Sequence, residues 1–260
     1  MRILILGDII GANGMRAVVT ALQSLQREHR ADFVIANAEN ANGGFGVTGE
    51  LAEQLFRAGV AVITTGNHVW HDDDVEDLLT NEPRVLRPHN YPSGLAGSGW
   101  YLAKHAAGRI AVLNLQGRDR LGAIDDPFRA AKTVLKANKG AYDLLVVDFH
   151  AESTQEKEAL AHMLDGKATV VYGTHTHVQT ADERILPRGT AYITDVGACL
   201  PTPSVIGFDA QISVRRGLTQ LPIRNEVASG PARIHGLLVE AGDSGVRATA
   251  VQRVQYQSLV

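Results

Sequence analysis

The chain has 260 residues, 45% of them hydrophobic and 20% charged, a composition that can bury a sizeable core and excludes disorder. Its formal charge of -3 gives no global basic field, so long nucleic acid, whose binding needs many phosphate contacts, is not an expected partner. Cys199 is the only cysteine, which excludes an intrachain disulfide and a thiolate zinc cluster and fits a reducing compartment.

A first strand is expected over Arg2–Leu6. The opening MRILILGD is apolar for only a few residues before Asp8, too short for a signal-peptide core, and no run of about 18 apolar residues follows. The expectation is a cytoplasmic protein with no membrane partner. Helical spacing occupies 15–30, and a strand over 33–36 ends in a loop rich in Gly and Asn. A helix over 50–58 and a strand over 60–64 follow, and 87–99, rich in Pro and Gly, reads as irregular. Next come a strand over 110–115, a helix over 127–139 opened by Asp126-Pro127, a strand over 144–149 and a helix over Thr154–Leu164. Strands over 169–172 and 191–194, a loop at 201–203 and a hairpin from 232 to 255 turning at Gly242-Asp243-Ser244-Gly245 complete the chain. Strand and helix alternate, which predicts an α/β layered fold with much parallel pairing, in one domain spanning 1–260.

The side chains able to bind metal gather just beyond the ends of these strands. Asp8 follows the first; Asn37, Glu39 and Asn40 the second; Asn67 and His68 the third; His150 the strand over 144–149; His175 and His177 the strand over 169–172. In open α/β sheets the crevice outside the carboxyl ends of the strands is where ligands bind, so one shared pocket is implied. Carboxylates, amides and imidazoles without a thiolate suit Mn, Fe, Zn or Ni better than Ca or Mg. Seven or more converging groups exceed the shell of one ion and suggest a pair sharing a bridging carboxylate. His175 and His177, at i and i+2, would share one face of extended backbone. Two divalent ions facing only Asp8 and Glu39 leave a positive surplus that can bind and polarise a phosphoryl group and ionise a water.

Gly66-Asn67-His68 after one apolar strand and Gly173-Thr174-His175-Thr176-His177 after another resemble motifs of the calcineurin-like metallophosphoesterases. Two departures are informative: that superfamily usually has Asp-x-His where this chain has Asp8-Ile9-Ile10, and an aspartate where it has Glu39. Asn40 sits where it could replace the lost histidine. With the segment from Ala36 to Gly44, Asp148-Phe149-His150-Ala151-Glu152, and Thr194-Asp195-Val196-Gly197 before Ser204-Val205-Ile206-Gly207, the pattern is similar to the bacterial YmdB-like branch over nearly the whole chain. The resemblance implies an α/β/β/α sandwich of two mixed sheets holding two metal ions, iron or alternatively manganese. It implies one ion held by Asp8, Glu39, Asn40 and His177, the other by Glu39, Asn67, His150 and His175, and His68 free of metal as proton donor to the leaving oxygen. The implied activity is hydrolysis of small phosphodiesters, 2′,3′- or 3′,5′-cyclic nucleotides, by a metal-bound hydroxide. Rival readings are a phosphomonoesterase or nuclease with the same centre, and a metal-loaded nucleotide-binding regulatory protein. Self-association is left open.

Other reactive side chains are assigned bland roles. His29, His71, His89, His105, His162 and His235 read as surface or satisfied core residues, and Cys199 has no neighbouring base in sequence. The glycines at 94, 97 and 99 lack the lysine and helix of a phosphate loop. Arg118, Arg120 and Arg129 read as solvated, with a reach to substrate phosphate as the alternative.

Overall fold

Parallel strands covered on both faces account for the unbroken apolar runs of the sequence. The computed structural model describes residues 1–242 and 245–258. Strand β1 (Arg2–Leu6) passes through Gly7 into the short β2 (Asp8–Ile9), followed by helix α1 (Gly11–His29). Then come β3 (Phe33–Asn37), α2 (Gly49–Ala58), β4 (Val62–Thr64), α3 (Val75–Asn81) and β5 (Val85–Leu86). The central stretch holds β6 (Trp100–His105), β7 (Gly108–Gln116), α4 (Pro127–Ala137), β8 (Leu144–His150), α5 (Thr154–Leu164) and β9 (Val170–Thr174). The last holds β10 (Arg184–Ile185), β11 (Ala191–Ile193), β12 (Ala198–Pro201), α6 (Ala210–Thr219), β13 (Ala232–Ala241) and β14 (Ala248–Gln257).

Two mixed sheets result. One has the order β2-β12-β13-β1-β3-β4-β5 with β14 paired to β13; the other runs β10-β11-β9-β8-β7-β6. In the first, β1, β3, β4 and β5 are parallel neighbours and β13 is antiparallel to β1. In the second, β7, β8, β9 and β11 are parallel, and β6 and β10 are antiparallel edges. Side-chain alternation sorts the core into layers. Ile3, Ile5, Ile35 and Val62 of the first sheet meet Val112, Val146 and Val170 of the second. Leu4 and Leu6 turn the other way, onto Val18, Leu22 and Leu25 of α1, while Leu113, Leu145 and Val147 pack under α4 and α5. The layering is α/β/β/α, as expected.

Several elements differ from the sequence reading. Helix α1 begins at Gly11, four residues before its apolar periodicity starts; a Cβ at Gly14 would lie 2.3 Å from the Cys199 carbonyl oxygen, so only glycine lets the helix approach β12 this closely. The 201–203 segment is a loop only after Pro201, which ends β12. Helices α3 and α6 and strands β2, β5, β6, β10 and β12 lay outside the predicted set; most are too short, or too evenly polar, to show a period. Asp126 does cap α4, accepting from the backbone N–H groups of Phe128 and Arg129, and 87–99 is irregular. The antiparallel hairpin β13–β14 is present, but Asp243 and Ser244 of its expected turn lie outside the described residues. Among the described residues, no helix is long and apolar enough to cross a membrane.

Ile5 is fully buried between the sheets, so Ile5→Ala is expected to lower stability by about 2–5 kcal/mol, read as a shift of the equilibrium denaturation midpoint. A loss under about 1 kcal/mol would contradict the inter-sheet core.

Candidate metal centre

The carboxyl ends of β3, β4, β8 and β9, together with β2, open into one crevice, and the local backbone aims their side chains into it. Asp8 pairs with Ala198 in the β2–β12 ladder; Glu39 and Asn40 follow β3, where the Asn37 side-chain oxygen accepts from the Glu39 N–H at 3.1 Å. Gly66 precedes Asn67 because nothing larger fits: a Cβ there would stand 2.2 Å from His150 Cδ2.

All seven residues expected to ligate meet in this crevice. His150 Nε2 lies 3.0 Å from Glu39 Oε1, 3.0 Å from Asn67 Oδ1 and 3.1 Å from His175 Nδ1. On the other side of Glu39, Asn40 Nδ2 is 3.5 Å from Glu39 Oε1 and 3.2 Å from His177 Nε2, and His177 Nε2 is 4.0 Å from Asp8 Oδ1. Glu39 thus stands between the two groups. Ligand-capable atoms of Glu39, His150 and His175 lie within 4.8 Å of one another. His68 is beside the cluster: its N–H donates to Glu39 Oε2 at 3.0 Å and its Nδ1 donates to Asn40 Oδ1 at 2.8 Å.

Hydrogen bonds from outside the cluster set which imidazole nitrogen faces inward. His177 donates Nδ1–H to the Ile206 carbonyl at 3.0 Å, leaving the Nε2 lone pair turned to Asn40 and Asp8. For His150 a relay operates. The Thr174 hydroxyl donates to Asp148 Oδ1 at 2.7 Å and so accepts from His150 Nδ1 at 2.9 Å, which points Nε2 at Glu39. His175 has Nε2 3.3 Å from Glu152 and turns Nδ1 inward.

The charge state is that of a cation site. Burial drives the Asp8 carboxyl well above the usual carboxylate range, the nearby His150 only partly opposing it. Burial acts in the same direction on Glu39, but His150 and His68 outweigh it and hold that carboxyl at about 2. Burial lowers His150, yet Glu39 and Asp8 prevail and raise it to about 9, so a proton on the ring offsets one of the carboxylate charges. Asp8 Oδ1 is fully buried and accepts no hydrogen bond, a costly arrangement that a cation would relieve. Oxygen and nitrogen donors of this kind fit divalent metal ions.

Two features depart from the sequence reading. His175 and His177 do not lie on extended backbone: their φ angles are 99° and 64°, left-handed conformations costing of order 1–3 kcal/mol each. They are held by a device outside the predicted set. Asp195 Oδ2 accepts from the Thr176 N–H at 3.1 Å, the Thr176 hydroxyl at 2.8 Å and Lys157 Nζ at 2.8 Å, with Lys157 and Asp195 both buried. Asn40, in turn, faces Glu39 and His177 with Nδ2, whereas a metal needs the amide oxygen. Turning that amide over would aim Oδ1 into the cluster and make Nδ2 the donor to His68 Nδ1, moving the His68 proton to Nε2.

Of the residues set aside, His235 is neither a surface nor a satisfied core residue: it is buried, and among the described residues neither ring nitrogen finds a hydrogen-bond partner. Burial pushes the Cys199 thiol up to about 12, which keeps it inert, and Arg118 and Arg129 lie 3.7 and 3.8 Å from Asp126. Asp72, beside His71, accepts from Asn42 at 2.6 Å.

A family model described as "YmdB-like protein" matches residues 4–254. The chain belongs to the YmdB-like family. Among its relatives, the 2′,3′-cyclic-nucleotide 2′-phosphodiesterase of Bacillus subtilis is 40% identical over 98% of this chain and 96% of its own length. A putative phosphatase/phosphodiesterase of Mycoplasma pneumoniae is 36% identical over 92% of this chain and 87% of its own. Among solved structures, a hypothetical protein from Thermus thermophilus superposes with a TM-score of 0.93 at 39% identity, covering 99% of this chain and 100% of that one. The calcineurin-like phosphoesterase YfkN from Bacillus subtilis, 12% identical, superposes at 0.57 over 100% of this chain and 90% of that one and shows the shared fold alone. The YmdB-like chain therefore has the calcineurin-like metallophosphoesterase fold.

Lys157→Met would strand the buried Asp195 charge, and a loss of about 3–5 kcal/mol is expected, partly restored by adding Asp195→Asn; additive losses in a double-mutant cycle would deny the coupling. Gly66→Ala should displace the His150 ring and cut bound metal at least tenfold, measured by elemental analysis, with an unchanged circular dichroism spectrum.

Proposed function

We propose that this chain, acting as one catalytic unit, is a dinuclear-metal phosphodiesterase of small phosphodiesters, with 2′,3′- or 3′,5′-cyclic nucleotides as substrates. The observation that carries the reading is the position of Glu39 between two groups of inward-turned nitrogen and oxygen donors. The name of the Bacillus subtilis relative supports a cyclic-nucleotide diester as the substrate class. In this reading Asp8, Glu39, Asn40 and His177 hold one ion and Glu39, Asn67, His150 and His175 the other, with iron, alternatively manganese, as the metal. The cytoplasm is the proposed compartment.

When bound, the ions would polarise the phosphoryl group and lower the pKa of a water towards neutrality. The protein's own part is orientation and proton supply. Lys157 and Asp195 fix the His175–His177 turn, and Thr174 and Ile206 fix the ring nitrogens of His150 and His177. His68, half-buried and edge-on to Phe45 at 4.9 Å, is placed to protonate the leaving ribose oxygen, a contribution of roughly 100- to 10,000-fold. With Asn40 turned over, the His68 Nε2 proton that this step uses is already in place.

Two variants separate these roles. Glu39→Gln should empty both metal positions, whereas His68→Ala should keep near-normal metal and slow turnover of 2′,3′-cyclic AMP by roughly 100-fold or more; equal metal loss in both would overturn the assignment. Faster turnover of p-nitrophenyl phosphate than of bis-p-nitrophenyl phosphate would instead favour a phosphomonoesterase.

A further inference from the structure

Helix α6 keeps its apolar side chains out of the core. None of its 10 residues is buried; Val214 and Leu218, one turn apart, are 58% and 81% exposed, and Leu221 just beyond them is 51% exposed. The segment has the form of an arm. Phe208 pairs with Val227 in an isolated bridge and the Asp209 N–H donates to the Glu226 carbonyl at 2.8 Å, so the helix departs and its return, 221–226, arrives at one place. Arg216 donates to the Ile223 carbonyl and holds the return alongside the helix. A helix shorter than about 12–15 residues is marginal in water unless an apolar face is packed, and the face that α6 offers is bare.

The charges around that face specify what covers it. Arg215 and Arg224, on the arm beyond its base, are exposed and form no ion pair among the described residues. The base is flanked by the opposite sign. Phe45 stacks on Phe208 at 5.9 Å and lies 5.2 Å from His71, which opens the run Asp72-Asp73-Asp74. Asp73 and Asp74 are likewise exposed and without an ion pair among the described residues. An anionic lipid surface would attract the arginines but repel the aspartates beside them. A second copy of the chain satisfies both, because in a two-fold pair every contact is made twice. Antiparallel arms set the outer part of each against the base of the other, with the apolar stripe between.

We propose that α6 is a self-association surface: two copies of the chain pair through antiparallel arms, Val214 and Leu218 packing on the same residues of the second copy, and Arg215 and Arg224 of each facing the Asp73-Asp74 end of the other. The inference stands on the arm alone and needs neither metal nor turnover.

Sedimentation equilibrium of the full chain tests it. Wild-type protein should have twice the 27.9 kDa mass of the chain, with a dissociation constant at or below about 1 μM that rises with salt. Leu218→Asp, at a position too exposed to support the fold, should give a monomer with an unchanged circular dichroism spectrum. Arg215→Glu together with Arg224→Glu should weaken association by about tenfold or more, and adding Asp73→Lys and Asp74→Lys should restore it. A wild-type monomer, a dimer that survives Leu218→Asp, or a charge reversal without rescue would overturn the proposal. Flotation with phosphatidylglycerol vesicles is the parallel measurement: a monomer that binds them through Leu218 would assign the arm to a lipid surface and overturn the proposal as well.

Discussion

Four carboxylates withdrawn from water at one end of two sheets govern this molecule. Asp8, Glu39, Asp148 and Asp195 are buried to within 1% of complete exclusion, and only Asp195 has a buried lysine against it. The remainder are managed with neutral groups and imidazoles. Asp148 accepts from Thr64, Thr174 and Asn37, yet burial still raises it to about 6. A crevice so poor in fixed positive charge is electrostatically prepared for cations, because each buried carboxylate without a counter-charge costs several kcal/mol. The same deficit explains why His150 is so basic without metal: it is the nearest group able to take up a proton.

From that constraint follows a division between residues that face the cluster and residues that aim them. Thr174, Ile206, Glu152 and Asp195 touch nothing that would react, but each determines which nitrogen or which backbone conformation is presented inward. Asp195 is the most consequential of these, for it ties the turn carrying two histidines to a helix on the outer layer through Lys157. A Cβ at Gly173 would stand 2.7 Å from Lys157 Cδ, so the path of the lysine through the sheet surface is itself cleared by a glycine.

Much of this is legible in the residues alone. The two-sided burial of parallel strands writes continuous apolar runs, so the polar side chains just beyond their ends, from Asp8 to His177, stand out without a fold, whereas setting Asn37 and His68 apart from the proposed ligands rests on the family resemblance. The positioning residues are harder. Lys157 does leave a sign, since it occupies the first place of the buried stripe that Leu160, Ala161 and Leu164 complete on α5, where a lysine needs a buried partner. The left-handed turn at His175 and His177 leaves none, because extended spacing and a turn predict the same neighbours for two residues two apart. Helix α6 buries no residue and strand β6 is a half-exposed edge, so neither carries the periodicity from which elements are inferred.

The crevice straddles the seam between the layers. Asp8, Glu39, Asn40 and Asn67 arrive from the first sheet, and His150, His175 and His177 from the second. A strand slips in steps of about 3.3 Å per residue, as large as the whole His150–Glu39 separation of 3.0 Å, so the cluster works as a rivet through both sheets. A slip of one residue in either sheet would therefore part these side chains and leave the cluster unformed.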